Sequence, residues 1–427
     1  MSMARQELIL LTDAFPFGGL EPFLETEVPY LAAKFRRLHI VAVTHESSPV
    51  RAVPENATIT RLPLFPNRRR QCARFWRRAA ALLHEGPSLL RRHGILPLRS
   101  LYREMRQTLS NAGQIRECVA GIMAKKHIEA RDAVLYSYWA MASAVAVADL
   151  KRTHPESRAV CRAHGWDVYE ERHPSRPIPF RAFLLRRLDA LYCVSGHGAA
   201  YVDKKTSYRH TATIQVRYLG VRAPGRDNPA GDSVRRMLSL VSCSCIVANK
   251  RVQLIVDALD HFARNHREQA VDWTHIGEGE AGGERFAAGL KEYASKHLSQ
   301  HASISYRFTG NLENRQVLSF YSQHPVDLFV AASRSEGLPV AMMEAASFGI
   351  PIVSSNVGGV PEIVRDLENG YLLPECPAPI DMATALARFA QLPVSDRLRM
   401  RARSKEAWRC RFNAATNYAD FAEELAR

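Results

Sequence analysis

Apolar residues along the first half of the chain fall in short unbroken runs, each followed by a turn and then by a segment with helical spacing. "ELILLTD" (7–13) reads as a buried strand, "FPFGGLEP" as a turn and "FLETEVPYLAAKF" (23–35) as a helix. "LHIVAVTH" (38–45) is the next strand, and Ala133–Trp139, Ser157–Arg162, Ala190–Val194 and Thr213–Tyr218 continue the series. The stretch "RAPGRDNPAGDSV" then breaks the pattern with Pro, Gly and Asp. Beyond it the alternation restarts. The strands are "LSLVSCSCIV", "VDWTHIG", "ISYRFTG", "VDLFVAA" and "PIVSS", and helical spacing lies between them.

Strand–helix alternation predicts parallel sheets covered by helices on both faces. The expected class is therefore α/β, with two doubly wound, Rossmann-like units. Residues 1–222 form the first, 223–234 the linker and 235–404 the second. A C-terminal helix at about 405–427 is expected to pack back on the first unit. In such sheets ligands sit beyond the carboxyl ends of the strands, and two facing sheets would make a cleft from their strand-end loops.

Composition narrows this reading modestly. Lys plus Arg number 58 against 43 Asp plus Glu, a net charge of +15, which favours an anionic partner without choosing among phosphates, nucleic acid or membrane. The eight cysteines lack paired zinc-site spacing and read as reduced, mostly buried thiols of a cytosolic protein. The start, "MSMARQELILLTDAF", lacks a signal-peptide pattern. The apolar run 133–148 is short for a bilayer span and divides into a strand and a helix.

The candidate chemistry centres on "SEGLPVAMMEA" (335–345). Pro339 suits the first position of a helix, which leaves Glu336 in the loop and places Glu344 on the helix. Free amides at the helix start, with Gly337 allowing close approach, form an anion site for a diphosphate. Glu344 could accept hydrogen bonds from vicinal ribose hydroxyls, and Glu336 from a sugar ring. The plainer alternative is that both acids only favour the helix N-terminus electrostatically. Gly358 and Gly359, in "PIVSSNVGGVPEIV", make a second glycine-rich turn nearby.

From Phe329 to Leu373 this run resembles the nucleotide-sugar-binding half of GT-B glycosyltransferases. It is most similar to the retaining family 4, whose signature is an acid, seven residues and a second acid, here Glu336 and Glu344. Further landmarks appear in order. "VSCSCIVANKRVQLIVDAL" resembles the phosphate strand with Lys250, "THIGEG" a strand-loop near the donor, and "YRFTGNLEN" the base-side loop. "FPFGGLEPFLETEV" resembles the Gly-rich loop after the first strand, and "RAHGWDVYE" the His-Gly-x-Asp segment. The resemblance is weakest over residues 50–130.

This resemblance implies His164, Glu336 and Lys250 as catalytic residues. It implies donor contacts at Gly18, Gly19, Ser244, Lys250, Arg251, Gly277, Asn311, Glu336, Gly337, Leu338, Val340 and Glu344, with Asp167 and Trp139 on the acceptor side. Retention of configuration by front-face displacement follows from the family. No cofactor is expected beyond the nucleoside-diphosphate sugar itself, with a UDP-sugar favoured over a GDP-sugar. The acceptor is expected to be a glycan or a lipid-linked sugar in polysaccharide or glycoconjugate assembly. The chain has no Asp-x-Asp, so no metal is expected, and Lys250, Arg251 and helix-start amides must neutralise the leaving group. Cys245 departs from the family, standing where an Arg is usual. It leaves open a non-catalytic sugar-nucleotide-binding or scaffolding relative; an epimerase on the same architecture is the third reading. For Gly18 and Gly19 a plain turn, and for Glu21 and Glu25 a helix-capping role, stand beside the functional ones.

From Arg68 to Arg106 there are eleven arginines and two acids, with Phe75, Trp76, Leu82 and Leu83 interleaved. This reads as an interfacial helix for an anionic membrane or as a surface helix packed on the first unit. Nucleic acid is not expected, for lack of an accompanying motif. The expected location is the cytoplasm, peripheral at the cytoplasmic face of the inner membrane.

Overall fold

The computed structural model describes residues 5–47, 51–65, 98–173, 178–206, 210–229 and 237–427. It divides the chain into two compact units, one of residues 1–218 with 415–427, the other of residues 219–414.

The first unit is built on β1 (Glu7–Thr12), which is buried along its whole length. Its side chains alternate between two cores. Leu8 and Leu10 pack with Leu24, Val28 and Leu31 of the helix Leu24–Lys34, and with Phe421 and Leu425 of the C-terminal helix Ala414–Ala426. Ile9 and Leu11 pack with Ile115 and Val119 of the long helix Leu98–Lys125, and with Ala144 and Val147 of the helix Ala142–Thr153. With both faces covered, an uninterrupted apolar strand is the expected sequence.

The other strands of this unit are β2 (Arg37–Ala42), β3 (Ala57–Arg61), β4 (Ala133–Ser137), β5 (Arg158–Ala163), β6 (Ala190–Cys193) and β7 (Thr213–Val216). They form one parallel sheet in the order β3-β2-β1-β4-β5-β6-β7. The strand order reverses between β1 and β4, so the connections leaving their carboxyl ends run to opposite faces of the sheet, the place where such sheets have a crevice.

The second unit carries β8 (Met237–Cys243), β9 (Ala270–Ile276), β10 (Ile304–Phe308), β11 (Leu328–Ala331), β12 (Ile352–Ser355) and β13 (Gly370–Leu373). These too are all parallel, in the order β10-β9-β8-β11-β12-β13, with the switch between β8 and β11. Helices Val252–Asn265 and Pro379–Gln391 supply Ile255, Leu259, Leu386 and Phe389 to its core.

Two details differ from the sequence reading. The C-terminal helices divide between the units: the helix Val394–Arg411 belongs to the second, and the helix Ala414–Ala426 lies on the first from Ala415 onward. There Tyr192 donates to Glu424 at 2.9 Å, and the Arg162 guanidinium sits 4.2 Å from the Phe421 ring centre. The thiols are also less buried than expected. Among the described cysteines Cys161 and Cys193 are buried, Cys245, Cys376 and Cys410 are exposed, and none forms a disulfide. The short edge strand β3 and the helix Leu98–Lys125 add elements to the stretch where the sequence was least informative. Most of the Arg68–Arg106 segment, including the expected helix around Arg74, lies outside the described residues. No helix among the described residues is long and apolar enough to cross a membrane.

Candidate functional site

In the second unit the chain leaves β8 through "SCIVANKR" and leaves β11 through "ASRSEGLP", so both loops open at the switch point. They are tied to each other: Arg334 N–H donates to Asn249 O at 2.8 Å, and Asn249 Nδ2 donates to Ser335 O at 3.0 Å. Arg251, at φ 47°, donates to Ala332 O at 2.6 Å and to Ser333 O and Ser355 Oγ at 3.2 Å. Its guanidinium thereby fastens the ends of two strands, β11 and β12. Expected on the donor, Arg251 is placed by the structure as a brace of the loops.

Across this join Lys250 Nζ meets Glu336 Oε1 at 2.5 Å. Glu336 is only 6% exposed, and its cation keeps a buried carboxylate from standing uncompensated. Both line a pocket of about 80 Å³ that opens to solvent, with Ser244, Ser333 and Val340 on its wall.

The helix Val340–Ser347 starts on this pocket. Pro339 stands one position earlier than expected, at the N-cap with φ −73°. Its carbonyl takes the amides of Met342 and Met343, so the amides of Val340 and Ala341 have no acceptor within the helix. Glu344 is on the second turn, 8% exposed. Asn314 Nδ2 donates to its Oε1 at 2.6 Å. Burial pushes this carboxyl up to about 7, with Asn314 pulling the other way.

Two glycines explain how the loops fit. Gly358 has φ +53°, and a Cβ there would stand 1.8 Å from the Glu336 carbonyl oxygen. Gly359 N–H also donates to Gly337 O at 2.9 Å. Gly277 has φ +137°, and a Cβ would stand 2.0 Å from Ser244 O. Both positions need backbone against backbone. Leu338 is buried. Asn311 is exposed in the loop before the helix Asn314–Gln323. The residue that reaches Glu344 is Asn314, which the sequence reading missed; its only sequence signal is a position three residues after Asn311, in "TGNLEN".

The first unit presents a different arrangement at its own switch point. Glu21, at φ 57° and buried, accepts from the amides of Asp13 (3.1 Å), Ala14 (2.8 Å) and Phe15 (2.7 Å) and from Trp139 Nε1 (2.6 Å). Instead of capping the helix, it folds the loop after β1 around itself and holds Trp139, expected on the acceptor side, against the end of β4. Glu25 pairs with Arg51 at 3.0 Å. Asp167 accepts from Ala140 N at 2.8 Å and His164 N at 2.6 Å. Burial alone would raise its pKa, but His164 and these amides hold it below the usual carboxylate range. Both oxygens are thus used in shaping the loop after β5.

His164 sits among Trp139 (4.3 Å between ring centres), Tyr138 (4.9 Å) and Phe23 (6.1 Å). It is 8% exposed; Nδ1 faces Asp167 Oδ2 at 3.8 Å, too long for a hydrogen bond, and among the described residues neither ring nitrogen has a hydrogen-bond partner. Buried polar atoms without partners are uncommon, and a ligand hydroxyl would satisfy one. Asp13, at the rim, is pushed up to about 7, first by desolvation and then by Glu21 and Asp167. In the loop after β1, Gly18 has φ +60°, and Gly19 has open space around its Cα. Among the described residues no group of His, Cys, Asp or Glu is arranged to hold a metal.

Comparison with known proteins agrees with this geometry. Residues 239–407 match the family described as Glycosyl transferases group 1. The chain is 27% identical over 208 residues to the lipopolysaccharide core biosynthesis mannosyltransferase LpsB of Rhizobium meliloti (strain 1021), covering 46% of this chain and 54% of that protein. The chain spans little more than half the length of the curated relatives it matches. Among solved structures, HepE of Anabaena in complex with UDP and glucose superposes with TM-score 0.66 at 14% identity, covering 99% of both chains. Sucrose-phosphate synthase of Thermosynechococcus elongatus superposes at 0.71 with 15% identity over 98% of both. At these identities the two structures speak to the fold.

Proposed function

From a chain that belongs to the group 1 glycosyl transferases and has the GT-B fold, we propose a retaining, metal-independent glycosyltransferase. It moves a sugar from a nucleoside diphosphate to a glycan or lipid-linked acceptor in polysaccharide or glycoconjugate assembly. The observation that carries this reading is the Lys250–Glu336 pair at the β8/β11 switch point, beside the open amides of Val340 and Ala341.

The chemistry follows from that pair. A diphosphate arriving at the helix start competes for Lys250, and Glu336 is then freed to accept hydrogen bonds from hydroxyls of the transferred sugar. Glu344 takes the ribose hydroxyls. As the bond from the anomeric carbon to the diphosphate oxygen breaks, charge grows where Lys250 and the two amides already point. The acceptor oxygen bonds the same face of that carbon, and its proton leaves to the departing phosphate oxygen. The absence of Asp-x-Asp from the sequence supports neutralisation by the protein's own cation. A UDP-sugar is the favoured donor, a choice supported by the UDP held in the HepE structure. An anionic membrane surface is the favoured site of action, supported by the arginine-rich segment from Arg68 to Arg106.

A second reading, donor binding without turnover, rests on Cys245, which lies exposed beside Ser244 where a further cation would serve the phosphate. Release of free nucleoside diphosphate from UDP-, GDP- and ADP-sugars separates the two. The enzyme should hydrolyse one donor slowly, with turnover unaffected by chelator, and Lys250→Ala should lower that rate roughly 10²–10³-fold. A donor that binds but is never cleaved would favour the second reading, and failure of every nucleotide to bind would defeat both.

A further inference from the structure

Asn314 opens the helix Asn314–Gln323, yet its side chain is not needed to cap it. Glu313 and Gln316 form a reciprocal capping box, with Glu313 N–H donating to Gln316 Oε1 at 2.8 Å. The Asn314 amide instead crosses to the helix Val340–Ser347 and holds Glu344 Oε1 at 2.6 Å. Among the described residues it is the one hydrogen-bond partner of that carboxylate. Among those residues the second oxygen, Oε2, has no donor.

We propose that Asn314 is a positioning residue for the nucleotide: its amide fixes one oxygen of Glu344, so that the other is presented, ionised, to the ribose hydroxyls. This rests on the donor-binding reading above and extends it to a residue whose side chain hydrogen-bonds Glu344. A carboxylate buried this deeply is costly to ionise without a donor, and Asn314 supplies the donor without adding a charge. The alternative of a lysine or arginine would lock Glu344 in a strong ion pair that the ribose would have to break.

The terminal phosphate of UDP itself takes up a proton at roughly pH 6, but it does so equally in 2′-deoxy-UDP and with every variant, so the differences between ligands and variants isolate the protein. The titratable groups that face Glu344 are the Cys243 thiol at the end of β8, pushed up to about 12 mainly by burial, and the Tyr321 phenol, raised well above its ordinary value for the same reason. Both stay neutral around pH 7. Lys250 is engaged by Glu336. A change in nucleotide affinity near pH 7 that Asn314 controls therefore reports Glu344.

The test is calorimetric titration of the full chain with UDP and 2′-deoxy-UDP, between about pH 5.5 and about pH 8.5 to bracket the carboxylate. In the wild type UDP affinity should fall as pH drops through about 7, and UDP should bind better than its 2′-deoxy form. Asn314→Ala should bind UDP roughly tenfold more weakly at neutral pH, with the midpoint moved to higher pH and the preference for UDP reduced. Asn314→Asp should be worse still, because a second carboxylate opposes ionisation of Glu344. A purely structural role predicts the reverse order, since Asp is nearly isosteric and suits the first turn of a helix. Unchanged midpoint and preference in Asn314→Ala, or Asn314→Asp behaving as wild type, would overturn the inference while leaving the donor site standing. A wild type that binds no nucleoside diphosphate would remove the donor reading and this inference together.

Discussion

Each unit carries, at the point where its strand order reverses, one carboxyl group pushed up to about 7: Asp13 beside β1 and Glu344 beside β11. The causes differ. Glu344 is raised by burial, and its neighbours are an amide and neutral groups. Asp13 is raised by desolvation and by two like charges, Glu21 and Asp167. The second unit opposes its other acid with a cation, Lys250 against Glu336, whereas the first opposes Glu21 and Asp167 mostly with backbone amides. The second unit's site suits a ligand bringing negative charge, which can take the cation over. The first unit's site suits neutral hydroxyls, because an anion would meet carboxylates held by amides and not by a cation it could take over.

The largest effect expected from breaking this contrast lies beneath the first site. β5, which carries His164 at its end, also carries Arg162, fully buried and paired with Glu27; Tyr136 donates to the same acid at 3.1 Å. Arg162→Met leaves Glu27 buried without its partner and should cost about 3–5 kcal/mol. The double change Glu27→Leu, Arg162→Met should recover most of that. Denaturant unfolding of the three proteins measures it. Equal losses in the single and double variants would show that the pair is not what holds this core.

Next in size is a change in the second site. Gly358→Ala forces the Glu336 carbonyl to move, since the new Cβ would stand 1.8 Å from it at a left-handed φ of +53°. Overpacking of this kind costs about 1–3 kcal/mol, and displacement of Glu336 should abolish nucleotide binding. Gly19→Ala, with nothing within 4 Å of its added methyl, should stay within about 0.5 kcal/mol of wild type. Thermal shifts with and without UDP distinguish the two, and a Gly358→Ala protein that still binds UDP would break the link between this turn and the site.

How much of this was legible in the sequence also follows the contrast. The second site is made by short spacings, with Glu336, Gly337, Pro339 and Glu344 inside one loop and one helix, so its parts could be read in register. Lys250 could be read because it lies in the loop that leaves a parallel strand. The role of Glu21 could not: its partners Asp13, Ala14, Phe15 and Trp139 come together only when β1 and β4 pair, and a left-handed glutamate looks in sequence like any helix-start acid. Asn314 was hidden for the same reason, lying 30 residues from Glu344. The two doubly wound sheets were legible because buried parallel strands are continuous apolar runs. β3 was not, being a half-exposed edge strand, "ATITR", without such a run.

The smallest expected effect would sharpen the contrast from the side of the first unit. A carboxyl whose folded pKa lies above its unfolded value binds its proton more tightly in the native state. Between the ordinary Asp value of 3.8 and about 7, the native state therefore holds more protons, and stability falls as pH rises through that window. Asp13→Asn should flatten this slope, and Glu21→Gln should shift it to lower pH by removing one of the like charges. Asp13 as a residue is exposed although the loop around it desolvates its carboxyl, so salt screens the like-charge part and the change is small. It should shrink further in high salt, which burial of Glu344 does not allow for the corresponding slope in the second unit. Melting temperature against pH in low and high salt measures both. If the Asp13 contribution were insensitive to salt, like charge would not be what separates the first site from the second.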